Sequence, residues 1–402
     1  MRMRNVLLVF VILALIFGTG FKSGAWAQQS APPASDQNVN QGWEGVAPEQ
    51  TAKASVSAQA VLPSQKSNAQ KLLLDSVWCD KLDVAGVKTA LDEGADPNWV
   101  SGSNSVIGKL VSGSGCWEYE HVEKPEQKGV EILQVLLKAG AGPTKEDDYN
   151  ALFDPLSEGY ALFTGVLLDS RHFSPTREIE GMTPMEIAAR HGRTNIIELL
   201  QKHGVVALEP KEAAQQRLIG AAGYHDIPGM EDAIDSGADV NGNTRQGETA
   251  LLEALSMMLY EEWDSASVLY LLKKGADPTI QGSESAEDSW DKTTALHLAI
   301  QSSAYALDKK HQEDQKGKDN AMRAVSVIKA LLQHGALVSA RDYYGRTPLH
   351  IAAHGNNVVG AQMLIEAGCK IAPTDRAGKT PLDYAESAEM IKLLKDHGAK
   401  EQ

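Results

Sequence analysis

Residues 345–353 read Gly-Arg-Thr-Pro-Leu-His-Ile-Ala-Ala, and residues 378–385 read Gly-Lys-Thr-Pro-Leu-Asp-Tyr-Ala. The Thr of each stretch, Thr347 or Thr380, is 33 residues from its counterpart. A Thr followed by Pro predicts the start of a helix, because the hydroxyl can cap the first turn and a Pro there forgoes no hydrogen bond. The chain is therefore built from repeats, each opened by a capped helix.

A second landmark closes each repeat. A Gly follows a Leu-rich or Ile-rich amphipathic stretch and supplies the left-handed residue that ends a helix. Gly204 and Gly237 are 33 residues apart, as are Gly335 and Gly368. Each repeat thus holds one helix after its Thr and a second helix before its Gly. The unit-ending glycines are Gly204, Gly237, Gly275, Gly335, Gly368 and Gly398.

These residues resemble the ankyrin repeat, whose signature is Thr-Pro-Leu-His-x-Ala. The resemblance covers about residues 71–402 and about nine units. It implies an all-α solenoid of helix-turn-helix units with β-turn tips, in which the signature histidines His297 and His350 link the turns of adjacent units. Several units are longer than the rest, and we expect their insertions, around residues 112–128 and 303–320, to lie between the paired helices.

The N-terminus has the pattern of a cleaved leader. Arg2 and Arg4 precede an apolar run from Val6 to Phe17, and small residues flank a cut after Ala27. The run is short for a membrane span, although an uncleaved anchor is the alternative. We expect a signal peptide at 1–27, a disordered Gln-, Ser- and Pro-rich tether at 28–70, and repeats at 71–402. The mature protein would lie in the periplasm or be secreted, without a membrane span.

Charge narrows the class of partner. The net charge is −15, and removal of a leader with three basic and no acidic residues makes it −18. We therefore do not expect nucleic acid to be the partner. Net charge alone favours a basic partner, although it bears on encounter and solubility more than on identity.

No catalytic motif is present. The sequence lacks the zinc-protease, nucleophile-elbow, phosphate-loop and Cys-x-x-Cys patterns. We therefore expect neither an enzyme nor a bound metal or cofactor. The enzymatic alternative would place hydrolytic or redox chemistry in the insertion at 112–128, where Cys116 and His121 occur.

The three cysteines are too few for a disulfide scaffold. Cys79 and Cys116 lie in the first and second units, each beside a Trp, and neighbouring repeats bring such positions within bonding reach. The sequence does not decide whether Cys79 and Cys116 form a disulfide or are two separate thiols. Cys369 is expected to be a buried, inert thiol.

The resemblance implies that the turn tips and the first helices form a concave recognition face. Acidic tip residues cluster early in the chain, whereas the late tips are basic and aromatic, the residue types that dominate binding energy at interfaces. The alternative is that Asp342 and Asp375 pair with the late arginines and that the tyrosines only cover the turn. The candidate partner-binding residues are Arg245, Trp290, Tyr343, Tyr344, Arg346, Arg376 and Lys379.

The sequence therefore predicts a monomeric, non-catalytic scaffold or regulator that binds a protein partner in the periplasm. One alternative is an immunity protein that neutralises a periplasm-acting toxin. Another is a binding protein for an envelope enzyme of oxidative-stress defence. The residues do not distinguish these partners.

Overall fold

The computed structural model describes residues 63–78, 81–101, 104–111, 125–142, 152–245, 247–256, 265–282, 292–307 and 315–401. Helices dominate this part of the chain, and the only strands in it form one short antiparallel hairpin, β1 (Val100–Ser101) with β2 (Asn104–Ser105). The helices occur in pairs, one pair for each repeat. The predicted all-α solenoid of about nine units is confirmed, with nine pairs among the described residues.

The first four pairs precede residue 205. They are α1 (Pro63–Ser76) and α2 (Val84–Asp92); α3 (Val106–Val111) and α4 (Pro125–Lys138); α5 (Phe153–Glu158) and α6 (Ala161–Asp169); α7 (Pro184–Arg190) and α8 (Thr194–Lys202).

Five pairs follow. They are α9 (Pro210–Gly223) and α10 (Ile227–Asp235); α11 (Ala250–Ser256) and α12 (Ser265–Lys273); α13 (Ala295–Leu307) and α14 (Gln315–Gln333); α15 (Pro348–His354) and α16 (Val358–Glu366); α17 (Pro381–Tyr384) and α18 (Ala388–Asp396).

The signature residues act locally as expected. The Thr183 hydroxyl accepts a hydrogen bond from the Glu186 amide at 3.2 Å, and Glu186 accepts one in return from the Thr183 amide at 2.7 Å. Thr347 and Thr380 are likewise extended residues immediately before their helices, each followed by a Pro in the first turn. The unit-ending glycines all have φ between 83° and 100°. Each cap therefore stops its helix at the same point of the repeat.

Buried apolar side chains hold successive units together. Within Ser67–Gln402, the first helices stack in the order α7, α9, α11, α13, α15 and α17. One buried cluster runs from Ala69 to Leu200 and a second from Ala214 to Ala399. The junction between the two clusters lies between α7 and α9, where Gly220 lets the helices approach closely.

The first repeat begins earlier than the sequence indicated. Helix α1 starts at Pro63, so residues 63–70, which were expected to belong to the tether, are helical. Ala69 and Leu73 are fully buried four residues apart, on one face of this helix. Gln70 also accepts a hydrogen bond from the Asp96 amide at 2.8 Å. The predicted leader at 1–27 and the rest of the tether lie outside the described residues.

The insertion in the seventh unit is largely helical. Helix α13 continues to Leu307 and α14 begins at Gln315, so much of the charged segment 303–320 extends the two helices of the pair. The expectation that this insertion lies between paired helices is confirmed.

Candidate functional site

The turn before α15 is fixed by Asp342. Its carboxylate accepts hydrogen bonds from the Arg346 amide and the Arg346 Nε, both at 2.7 Å, while the Gly345 amide donates to the Asp342 carbonyl at 2.9 Å. Asp342 is only 6% exposed. The pairing of Asp342 with a late arginine, which the sequence left as the alternative to partner binding, is therefore present at Arg346.

The turn before α17 is organised differently. The Asp375 carboxylate accepts the Ala377 and Lys379 amides at 2.8 and 2.9 Å and the Tyr384 hydroxyl at 2.6 Å. Burial acts to raise the pKa of Asp375, but these hydrogen bonds outweigh it and the pKa lies below its usual value. Burial, together with the bond to Asp375, raises the pKa of Tyr384 to about 12. Asp375 therefore serves its turn and makes no ion pair with Arg376.

These two turns pack directly on each other. The Arg376 amide donates to the Tyr344 carbonyl at 2.9 Å. Gly345 has φ 76°, and a side chain there would lie 3.0 Å from the Arg376 amide nitrogen. Glycine is thus required both for the turn and for the close approach of the next tip.

Aromatic rings and cations alternate over the paired turns. The guanidinium carbon of Arg376 lies 4.7 Å from the ring centre of Tyr343, and that of Arg346 lies 4.8 Å from Tyr344. The two tyrosine rings meet edge to face at 5.4 Å, and Tyr344 is 60% exposed. Lys379 Nζ lies 5.3 Å from the ring centre of Tyr384. Such contacts orient the cations while leaving them at the surface.

We call Arg341, Tyr343, Tyr344, Arg376 and Lys379 the tip patch. Arg341 joins it because its Nη1 donates to the carbonyls of Gly345 and Thr374, both at 2.7 Å, and so bridges the two turns. The sequence placed Tyr343, Tyr344, Arg376 and Lys379 on neighbouring tips, and the structure brings these four residues together. Arg341, which links the two turns, was not among the predicted site residues.

Arg245 lies two repeats earlier and is not part of the tip patch. Its guanidinium bonds to Glu186 at 2.7 and 3.2 Å and to Glu178 at 2.9 Å. Hydrogen bonds to Glu186 and then to Glu178 raise the pKa of Arg245. The charge of this candidate is therefore compensated by Glu178 on the preceding tip and by Glu186 in the first turn of α7.

Trp290, Cys79 and Cys116 lie outside the described residues. Contact of Trp290 with a partner and the Cys79–Cys116 disulfide stay predictions. Mass spectrometry of the unreduced chain would test the disulfide, and three free thiols would remove it. Cys369 is half-buried, whereas the sequence predicted a buried thiol; burial still raises the pKa of the thiol to about 11, which is typical of an unreactive cysteine.

The two signature histidines link adjacent units. His297 Nδ1 lies 2.9 Å from the Thr294 hydroxyl, and its Nε2 lies 3.1 Å from the Arg346 carbonyl of the next tip. His350 repeats this arrangement with Thr347 and the Lys379 carbonyl. Burial lowers the pKa of His297 to about 4 and also lowers that of His350. Both imidazoles are thus structural groups whose hydrogen bonds position the tips.

Sequence reasoning missed a polar cluster at the junction of α7, α9 and α11. Arg190 is almost fully buried and pairs with Glu248. Burial raises the pKa of neighbouring Glu253 to about 7. Glu248 and Glu253 also line a small surface depression. No local motif marks this cluster, because the Arg190–Glu248 pair joins residues 58 positions apart.

Other kinds of site are not visible in the described residues. No three or more His, Cys, Asp or Glu side chains in this part of the chain are grouped to hold a metal ion. None of its helices is both long enough and apolar enough to cross a bilayer.

The comparisons support the repeat assignment. The family described as ankyrin repeats (3 copies) matches residues 264–375 and 320–402. The chain is 43% identical over 72 residues to the potassium channel GORK of Arabidopsis thaliana, covering 17% of this chain and 9% of the channel.

Two longer matches extend the likeness. The human mitochondrial disaggregase is 27% identical over 212 residues, which are 48% of this chain and 27% of that protein. The mouse NF-kappa-B inhibitor zeta is 27% identical over 211 residues, 47% of this chain and 27% of the inhibitor. The chain thus spans about a quarter or less of these relatives. Residues 264–402 therefore match ankyrin repeats, and the described helix pairs are consistent with an all-α ankyrin-repeat solenoid.

Proposed function

We propose that this chain is a non-catalytic scaffold or regulator that is exported to the periplasm and binds a protein partner through the tip patch. Ankyrin repeats suggest protein partners. The observation that carries the proposal is the tip patch itself, where an exposed tyrosine and three cations lie on two turns that are fixed by internal hydrogen bonds. A preordered surface of this kind loses little conformational entropy on binding.

The residue types favour binding over a purely structural role. Tyr and Arg are enriched among the side chains that contribute most to interface affinity. Tyr344 exposes 60% of its surface, and its ring is not needed to close the turn, which is held by backbone bonds and Asp342. A ring with only a structural role would be more fully covered.

Capture from a periplasmic extract tests the proposal. Residues 28–402 of the wild type, the Tyr343→Ala/Tyr344→Ala variant and a Met322→Ala control would serve as baits, with quantitative mass spectrometry as readout. Met322 is 65% exposed on α14, so it matches the loss of an exposed apolar side chain outside the tips. We expect one protein to be enriched by the wild type and the control but depleted with the double variant. Equal recovery with all three baits would refute the proposal.

The identity of that protein separates the finer alternatives. A toxin would favour an immunity protein, and an enzyme of oxidative-stress defence would favour a regulator of that enzyme. The hydrolytic or redox alternative rests on Cys116 and His121, which lie outside the described residues, and a double mutant of these two is its test. Sequencing of the exported protein would test the leader, with Gln28 as the expected first residue.

A further inference from the structure

We propose that the tip patch recognises a carboxylate-rich segment of the partner protein, although the chain as a whole is acidic. The inference rests on the proposed function and specifies the chemistry of the same surface. The net charge of −15, taken alone, would instead favour a basic partner.

The first support is that, within the described part of the chain, the cations of the tip patch lack carboxylate partners. Among the described residues, no acidic side chain forms an ion pair with Arg341, Arg376 or Lys379. Arg341 donates to two backbone carbonyls. Because a carbonyl carries no net charge, these bonds do not compensate the positive charge of Arg341. Arg376 lies over a tyrosine ring, and no side-chain hydrogen bond to it is present in the described part of the chain. Its guanidinium therefore retains donors that can take a carboxylate in bidentate fashion.

The second support is where the nearby carboxylates point. Asp342 and Asp375 are 6% and 8% exposed, and their oxygens are used by the Arg346 side chain, turn amides and the Tyr384 hydroxyl. The Asp383 carboxylate lies near Lys379, but it accepts both the amide and the hydroxyl of Thr380 at 2.7 Å. The acids of these tips are therefore engaged in their own turns, and the cations face outward.

Several other surface cations do have carboxylate partners. Arg245 is bonded to Glu178 and Glu186. Lys88 pairs with Glu131 at 3.6 Å, and Lys274 with Glu231 at 3.8 Å. In an acidic chain, cations without such partners form a local positive field, which draws an acidic segment and holds it at the exposed Tyr344.

The test is a binding titration with defined probes. The probe is a fluorescently labelled peptide of alternating Glu and Ser, compared with Gln–Ser and Lys–Ser peptides of the same length. The variant is Arg376→Glu/Lys379→Glu, and the control Lys211→Glu/Lys329→Glu makes the same change in net charge at exposed helical sites. We expect the wild type and the control to bind the Glu–Ser peptide and the charge-reversed tip variant to bind it roughly tenfold more weakly, as two surface ion pairs allow. Added salt should weaken the binding.

Several results would overturn the inference. These are preferential binding of the Lys–Ser or Gln–Ser peptide, an equal loss in the control variant, and tighter binding of a single-stranded DNA oligonucleotide than of the Glu–Ser peptide. Self-association of the wild type that Arg376→Glu/Lys379→Glu abolishes would assign the patch to a second copy of this chain. If the acidic peptide fails to bind while capture still depends on Tyr343 and Tyr344, this inference falls and the proposed function stands. If capture is also insensitive to the tyrosines, both fall.

Discussion

Replacement of Glu253 by Gln should stabilise the protein in a pH-dependent way. The carboxyl lies on α11 against the backbone of α9, where a side chain added at Gly223 would be 3.0 Å from a Glu253 oxygen. Burial raises the pKa of Glu253 to about 7, negative Glu248 adds to the rise, and Arg190 opposes it. The folded protein therefore favours the neutral acid, whereas the unfolded chain ionises near pKa 4.5.

The magnitude follows from this difference. A pKa above the unfolded value means that the stability contributed by the neutral acid is full below pH 4.5 and is lost as the pH rises toward 7. At about 1.4 kcal/mol per pKa unit, the difference in Glu253 ionisation between the unfolded and folded states lowers stability by about 3 kcal/mol at roughly pH 8 and by about 1 kcal/mol at roughly pH 5. Glu253→Gln removes the charge, so its advantage over the wild type should be large at the higher pH and small at the lower.

Urea unfolding followed by helical circular dichroism at both pH values measures this advantage. The exposed Glu198 supplies a control, because Glu198→Gln makes the same chemical change outside the buried cluster and should leave the unfolding midpoint unaltered. An advantage of Glu253→Gln that is equal at both pH values, or a variant less stable than the wild type at pH 8, would refute the reasoning.

Three glycine substitutions test the close approaches in the fold. Gly345→Ala should cost about 2 kcal/mol, because it combines a positive φ with a side chain 3.0 Å from the Arg376 amide nitrogen. Gly378→Ala has a similar φ of 78° and open space around it, so it should cost only about 1 kcal/mol by the same urea assay. Gly220→Ala should cost about 3 kcal/mol or more, since its new carbon would lie 1.9 Å from the Arg190 carbonyl oxygen. An unchanged unfolding midpoint for Gly220→Ala would show that α7 and α9 are not in this close contact.

Much of the fold could be predicted because the determining features are local. A Thr cap, a Pro in the first turn and a terminal Gly act within a few residues of their own positions. Their spacing of 33 residues then fixes which tips become neighbours, and so it placed Tyr343, Tyr344, Arg376 and Lys379 together. Local chemistry and a regular period were sufficient for that part of the site.

Contacts between residues far apart in the chain could not be predicted in this way. Arg245 pairs with acids 59 and 67 positions away, and Arg190 pairs with one 58 positions away, and no repeat signature specifies such charges. The start of α1 was misjudged for another reason. Its polar composition resembles a tether, and the apolar positions Ala69 and Leu73 indicate a helix only once their burial in the core of the first units is known.

The central claim is that the two tyrosines of the tip patch contribute binding energy rather than stability. The most direct measurement titrates the purified captured partner onto the wild type, Tyr343→Ala/Tyr344→Ala and Met322→Ala by biolayer interferometry, alongside thermal unfolding of each. We expect the double variant to bind at least roughly tenfold more weakly, as is typical of interface tyrosines, while all three proteins unfold at the same temperature. Unchanged affinity, or a fall in the unfolding temperature of the double variant that accompanies its loss of binding, would contradict the account.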